Sequence, residues 1–188
     1  MRTRLLLGLL ALTSGCFSSV AVVQPHPNVV FAQSSTKSLL LRIQKSVPDQ
    51  FGQAFSDTFA PPVEGWHESL ANGFRNGFAG YFAHTPANTA PDLRLELERA
   101  ELQWARLGQV WVSSVIYRAR LVDQDGRTLA VASGTAASKT TWTAGTPLEP
   151  CVASSVETMY EELSDKLLRR GAAPQQAKQR PPTGSTEI

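Results

Sequence analysis

Hydrophobic and polar positions alternate, then change period, then alternate again along this chain. Over 37–47, Leu39, Leu41, Ile43 and Val47 share one parity, with Arg42, Gln44 and Ser46 on the other. That predicts a half-buried strand, ended by Pro48-Asp49. Over 63–82 the spacing becomes four: Trp66, Leu70, Phe74, Phe78 and Phe82 predict a helix with an aromatic stripe turned inward. The same segment holds a tandem repeat, Asn72-Gly73-Phe74 and Asn76-Gly77-Phe78. Asn-Gly is ordinarily a turn signal, and an interior glycine costs a helix ~1 kcal/mol relative to alanine. The stripe runs through both copies, so a helix is still expected. Gly73, Gly77 and Gly80 would let it approach a neighbour closely.

A three-stranded meander is predicted over 92–142. Leu93, Leu95 and Leu97 alternate with Arg94, Glu96 and Glu98, a short turn at 106–109 leads into 110–122, and Asp123-Gln124-Asp125-Gly126 turns the chain into 127–137. Setting Leu97 opposite Tyr117 aligns Leu95 with Ala119 and Leu93 with Leu121, and places Glu96 opposite Arg118 and Arg94 opposite Arg120. Toward the first hairpin this parity fails, because Leu102, Trp104, Val110 and Val112 occupy positions that are polar further along. Either a β-bulge near 98–100 resets the faces, or this end of the sheet is apolar on both sides and is covered by the N-terminal segment, a partner or lipid. A final helix is expected from about 146–150 to 170, opened by a Thr146-Pro147-Leu148-Glu149 capping box. Its buried stripe is Val152, Val156, Met159, Tyr160, Leu163 and Leu167; Glu157, Glu161, Glu162 and Asp165 form its wet side. The expected fold is one α+β domain over 37–170, of order β-α-β-β-β-α, with two helices on one face of a mostly antiparallel sheet. Residues 171–188, rich in Pro, Gln, Thr and Ser, are expected to be a disordered tail.

The N-terminus changes the picture. MRTRLLLGLLALTSGC has two arginines, a short apolar run and small residues before Cys16, and the run is too short for a spanning helix. The stretch resembles the bacterial lipobox, with Thr13 where leucine is usual. The resemblance implies a signal peptide over 1–15, lipidation of Cys16 and a membrane anchor. Residues 16–36, with Pro25-His26-Pro27, then read as a tether, although the short apolar pieces Val20–Val23 and Val29–Phe31 could each lie on the sheet as an edge strand. A flexible chain of that length would hold the domain ~25 Å from its anchor. Of the 18 Lys and Arg, two fall in the signal, leaving 16 against 16 Asp and Glu. A neutral chain with no cation cluster disfavours nucleic acid.

The residues offer little chemistry. With Cys16 acylated, Cys151 is the one thiol left. It reads either as a small buried residue or, near a helix N-terminus, as a reactive thiolate. The three histidines lie in linkers or at helix ends without ligand spacing, so no metal or cofactor site is expected.

Trp66-His67-Glu68-Ser69-Leu70, Tyr117-Arg118-Ala119-Arg120-Leu121-Val122-Asp123-Gln124-Asp125-Gly126 and the terminal helix around 159–168, behind a lipobox, resemble small envelope lipoproteins of Gram-negative bacteria. The auxiliary lipoproteins of ABC-type transport systems and the YajG-type lipoproteins are the similar groups. The anchor, the tether and the absence of chemistry point to a non-enzymatic, lipid-anchored periplasmic binding or accessory module that engages a protein or lipid partner in an envelope assembly or transport system. Phe17, rather than Asp, after the cysteine implies the periplasmic face of the outer membrane. The candidate partner surface is the hairpin tip, Leu102, Trp104, Val110, Trp111 and Val112, because tryptophan-rich apolar patches concentrate binding energy. On that reading Trp104→Asp abolishes binding and spares stability. Two alternatives stand beside it: a carrier enclosing an apolar ligand among Phe74, Phe78 and Met159, and a thiol enzyme using Cys151.

Overall fold

The computed structural model describes residues 19–52, 61–141 and 147–169. The expected signal peptide, Cys16 and the 171–188 tail lie outside these residues. Strands β1 (Leu39–Ile43), β2 (Leu93–Leu107), β3 (Val110–Asp123) and β4 (Thr128–Thr141) form one sheet in that order. Helices α1 (Trp66–Phe78) and α2 (Glu149–Leu163) cover one face, and a π-helical turn (Ser164–Arg169) extends α2. This is the α+β order the hydrophobic pattern predicts. The β2–β3 and β3–β4 pairs are antiparallel, whereas β1 runs parallel to β2. A parallel pair needs a long crossover, which the segment containing α1 supplies.

A bulge resets the sheet between Leu97 and Arg99. Leu93, Leu95 and Leu97 point to the helices before it, and Ala100, Leu102 and Trp104 do so after it. The register differs by two residues from the one expected: Leu97 faces Ala119, Glu96 faces Arg120, and Tyr117 faces Ala100. The hairpin closes through Gly108 at φ 61°, a tight turn that a side chain would oppose. At the other end, Asp123 Oδ1 accepts the amides of Asp125 and Arg127, and Gly126 takes φ 83°.

In α1 the every-fourth-residue stripe is buried unevenly. Trp66, Leu70 and Phe78 are in the core, while Phe74 and Phe82 are half-buried. Four residues turn a helix through ~400°, so such a stripe drifts ~40° at each step. The buried face is instead Trp66, Ser69, Leu70, Asn72, Gly73, Gly77 and Phe78. In α2 all six stripe residues are buried. Its expected opening differs: Thr146 lies outside the described residues, Leu148 is the N-cap without a side-chain cap, and Pro150 rather than Pro147 falls in the first turn.

The largest departure concerns the tether. From residue 20 onward it is a strap laid along both helices, with Val20, Val23 and Val29 buried. Ser69 Oγ accepts the Val23 amide at 3.0 Å, Asn72 donates to the Val23 carbonyl and Asn76 to the Pro25 carbonyl. Across from them, Glu157 accepts the amide of His26 and Glu161 that of Asn28, each at 2.8 Å. Alternate residues of an extended chain are ~6.7 Å apart and helix residues four apart are ~6 Å apart, so the two ladders match. The strap continues to Phe31, whose ring meets Tyr81 and Phe82 edge-on.

Candidate functional site

The five predicted partner residues do not form one surface. Leu102, Trp104 and Trp111 point to the helices and are 3%, 4% and 6% exposed. Trp104 packs against Phe51 with centroids 6.4 Å apart, and Phe51 in turn meets Trp66 at 5.8 Å. Val110 and Val112 sit half-buried on the opposite face of β3. The bulge is the cause: without its reset, Leu102 and Trp104 would stand on that outer face with them. The hairpin end keeps one large apolar residue in the open, Leu107, which is 64% exposed.

The outer face of the sheet has two halves. At the β1 end Glu96 is held among three arginines: Arg120 at 2.7 Å, Arg42 at 3.5 Å and Arg94 at 3.9 Å. Glu98 adds Arg118 at 2.9 Å and Arg120 at 3.3 Å. The arginine stems bury the Glu96 carboxylate on a face no helix covers. Along β4 the face is bare: Leu129, Val131, Ser133, Thr135, Ala137, Lys139 and Thr141 are exposed, alternating with inward residues. The strand order leaves β4 at an edge. Natural edges are usually guarded by charge, proline or bulges. Here a register shift at Leu129 interrupts the start of the strand, Lys139 is the single charge in fourteen residues, and the strand has no proline.

Under β4, Tyr117, Glu162 and Lys166 form a hydrogen-bonded triangle. Tyr117 donates to Glu162, and Lys166 Nζ reaches Glu162 at 2.6 Å and the Tyr117 hydroxyl at 2.7 Å. Burial and the Glu162 bond hold the Tyr117 hydroxyl above its ordinary value, and the bond to Glu162 raises Lys166. Burial pushes Glu162 upward, but the bonds from Lys166 and Tyr117 outweigh it and leave the carboxyl lowered. Gly134 makes room for the tyrosine, since a Cβ there would lie 2.6 Å from its hydroxyl. The triangle joins α2 to the sheet.

Cys151 is fully buried. Its thiol points to the carbonyls of Trp111 and Ser138, each 3.6 Å away, and Ser113 Oγ donates to the Cys151 carbonyl at 2.7 Å. No substrate can reach it in this fold, which removes the support for a thiol enzyme. His67 Nε2 lies 2.8 Å from the Val47 carbonyl, and the described residues include no group of three metal-ligating side chains. Of the residues named for a carrier, Met159 is core, while Phe74 and the buried Phe78, tilted against each other at 5.2 Å, line the side of α1 that faces β1. A groove of about 230 Å³ between α1 and β1 is open to one side and falls short of the ~300 Å³ of small ligand sites. No described helix is long and apolar enough to cross a membrane.

No family model matches the chain, and no curated protein matches it. Among the solved structures to which the chain is similar are two bacterial lipoproteins. A minor lipoprotein from Acinetobacter baumannii has a TM-score of 0.42 at 11% identity, over 71% of this chain and 92% of that one. Lipoprotein GNA1162 from Neisseria meningitidis has a TM-score of 0.33 at 17% identity, over 67% of this chain and 99% of that one. Likenesses of this size assign no function.

Proposed function

We propose that this chain is a non-enzymatic, lipid-anchored accessory module of the bacterial envelope, held through Cys16 at the periplasmic face of the outer membrane. It engages an envelope protein by strand addition along β4. The observation that carries the binding half is that, among the described residues, no strand pairs with the outer side of β4, a fourteen-residue strand with one charge. An added strand gains main-chain hydrogen bonds along such an edge and specificity from alternate side chains. The anchoring half is supported by the resemblance of MRTRLLLGLLALTSGC to a lipobox. Because Leu102, Trp104 and Trp111 are buried, this reading takes β4 rather than the hairpin tip as the partner surface.

The test is a photo-crosslinking residue at Thr135 in the full chain, expressed in its native envelope. A discrete adduct with one envelope protein is expected, lost when Val131→Lys and Ala137→Lys charge the face. Absence of any adduct at Thr135 and at its outward neighbours Ser133 and Ala137 overturns the binding half. An intact mass without acyl chains on Cys16 overturns the anchoring half.

A further inference from the structure

The strap has a direction relative to the sheet. Val20 bridges Val63, Val63 exchanges backbone hydrogen bonds with Phe51, and Phe51 packs on Trp104. Trp66, at the start of α1, donates its indole to the Ala100 carbonyl at 2.8 Å. The strap therefore begins level with residues 100–104 of β2. It then follows α1, past Asn76 and over Gly77, until the Ser35 amide meets the Tyr81 carbonyl and Ala83 bonds Lys37. There β1 begins beside Leu93. Forward, the strap runs from the level of Trp104 to that of Leu93, so its first described residues lie toward the hairpin end of the sheet.

Length completes the geometry. Val20 is four residue steps from Cys16, a span of at most ~14 Å. The turn lies three residues beyond Trp104, ~10 Å along the strand. We infer that the acylated Cys16 holds the β2–β3 turn against the bilayer, with Leu107 in the interfacial layer. A lone exposed leucine is commonplace; what distinguishes Leu107 is that it tops the end of the sheet from which the anchor leaves. Residues 102–115 contain no Asp or Glu, and the last three rungs carry Arg106 and Lys139 as their charges. An apolar tip flanked by cations suits the headgroup boundary. Asp123 and Asp125 mark the opposite turn, ~45 Å away along β3. The β4 edge would then stand out from the membrane, open along its length to a periplasmic partner.

The inference rests on the lipid-anchor reading, and the experiment separates the two. The full acylated protein is placed in vesicles of phosphatidylethanolamine and phosphatidylglycerol containing a quencher-bearing lipid. A fluorophore is attached at Leu107→Cys or, as control, at Gln124→Cys; Cys151 is shielded by burial. Several-fold stronger quenching at position 107 than at 124 is expected. Equal, water-like signals at both positions overturn the inference while an acylated mass leaves the anchor standing. A label at 107 shielded from water but not quenched by lipid also overturns it, giving the tip to a protein occupant. A mass without acyl chains overturns both.

Discussion

The strap and the β2–β3 hairpin end lie side by side and are held by opposite means. The hairpin end is secured by side chains: Leu102, Trp104 and Trp111 are pressed into the core, and the backbone is satisfied within the sheet. The strap also buries Val20, Val23 and Val29, but its backbone amides and carbonyls are met by side chains, Ser69, Asn72 and Asn76 on one helix and Glu157 and Glu161 on the other. An extended segment with no strand to pair with must find such partners or stay in water. The comparison teaches that a polar, proline-rich stretch can be structural when the helices beneath it supply the missing ladder.

The sharpest way to break the comparison is to remove one side chain from the hairpin end. Trp104→Ala empties a site that is 4% exposed, next to Phe51. A loss of ~3–5 kcal/mol is expected from such a truncation, measured by chemical denaturation. A change below ~1 kcal/mol would mean the indole is not core, and would restore the tip as a partner surface.

A smaller effect is expected from lifting the strap. At Gly77 a Cβ would meet the ring of Pro27 at 2.6 Å, whereas at Gly80 it would meet nothing within 4 Å. Gly77→Ala gains ~1 kcal/mol of helix propensity but must displace the proline, an overpacking cost of ~1–3 kcal/mol. The net change in stability is therefore modest, and the diagnostic is local. Amide exchange at His26 and Asn28 should quicken in Gly77→Ala and stay unchanged in Gly80→Ala. Unchanged protection in both would show that the strap does not depend on this close approach.

Side-chain patterning made the elements legible, and with them the core stripe of α2 from Val152 to Leu167. The bulge near 98–100 was legible as one of two readings, because the parity of Leu97 and Leu102 cannot both be met without it. The register was not, since it depends on where the turn closes, and Gly108 with Gln109 set that. The strap was legible only as the possibility that Val20–Val23 or Val29–Phe31 packs on the sheet; its course over the helices was not, because it is fixed by main-chain bonds to helix side chains. Yet a signal was present in the Asn-Gly-Phe repeat. Each asparagine meets a strap carbonyl, Gly73 admits Tyr160 and Gly77 admits Pro27, and the phenylalanines stack. The acidic face of α2 misled in the same way: Glu157 and Glu161 are strap acceptors rather than a solvated side.

Glu162 offers the finest cut between the two modes, because it adjoins Glu161 yet turns to the sheet. Its carboxyl is lowered: burial opposes ionisation, and the bonds from Lys166 and Tyr117 more than offset that. A lowered folded-state value means its stabilisation is present above the ordinary carboxylate range and is lost as pH falls through the folded value. The pair is about a third exposed, Lys166 at 38% and Glu162 at 34%, so the effect should not exceed ~1 kcal/mol. Denaturation of the native chain should therefore show a small acid-side loss that Glu162→Gln flattens. Amide protection at His26 should be unaffected by the substitution, since its acceptor is Glu157. Parallel acid-side losses in both proteins would remove Glu162 from the sheet contact. Faster exchange at His26 would instead mean that strap and sheet loosen as one unit through α2.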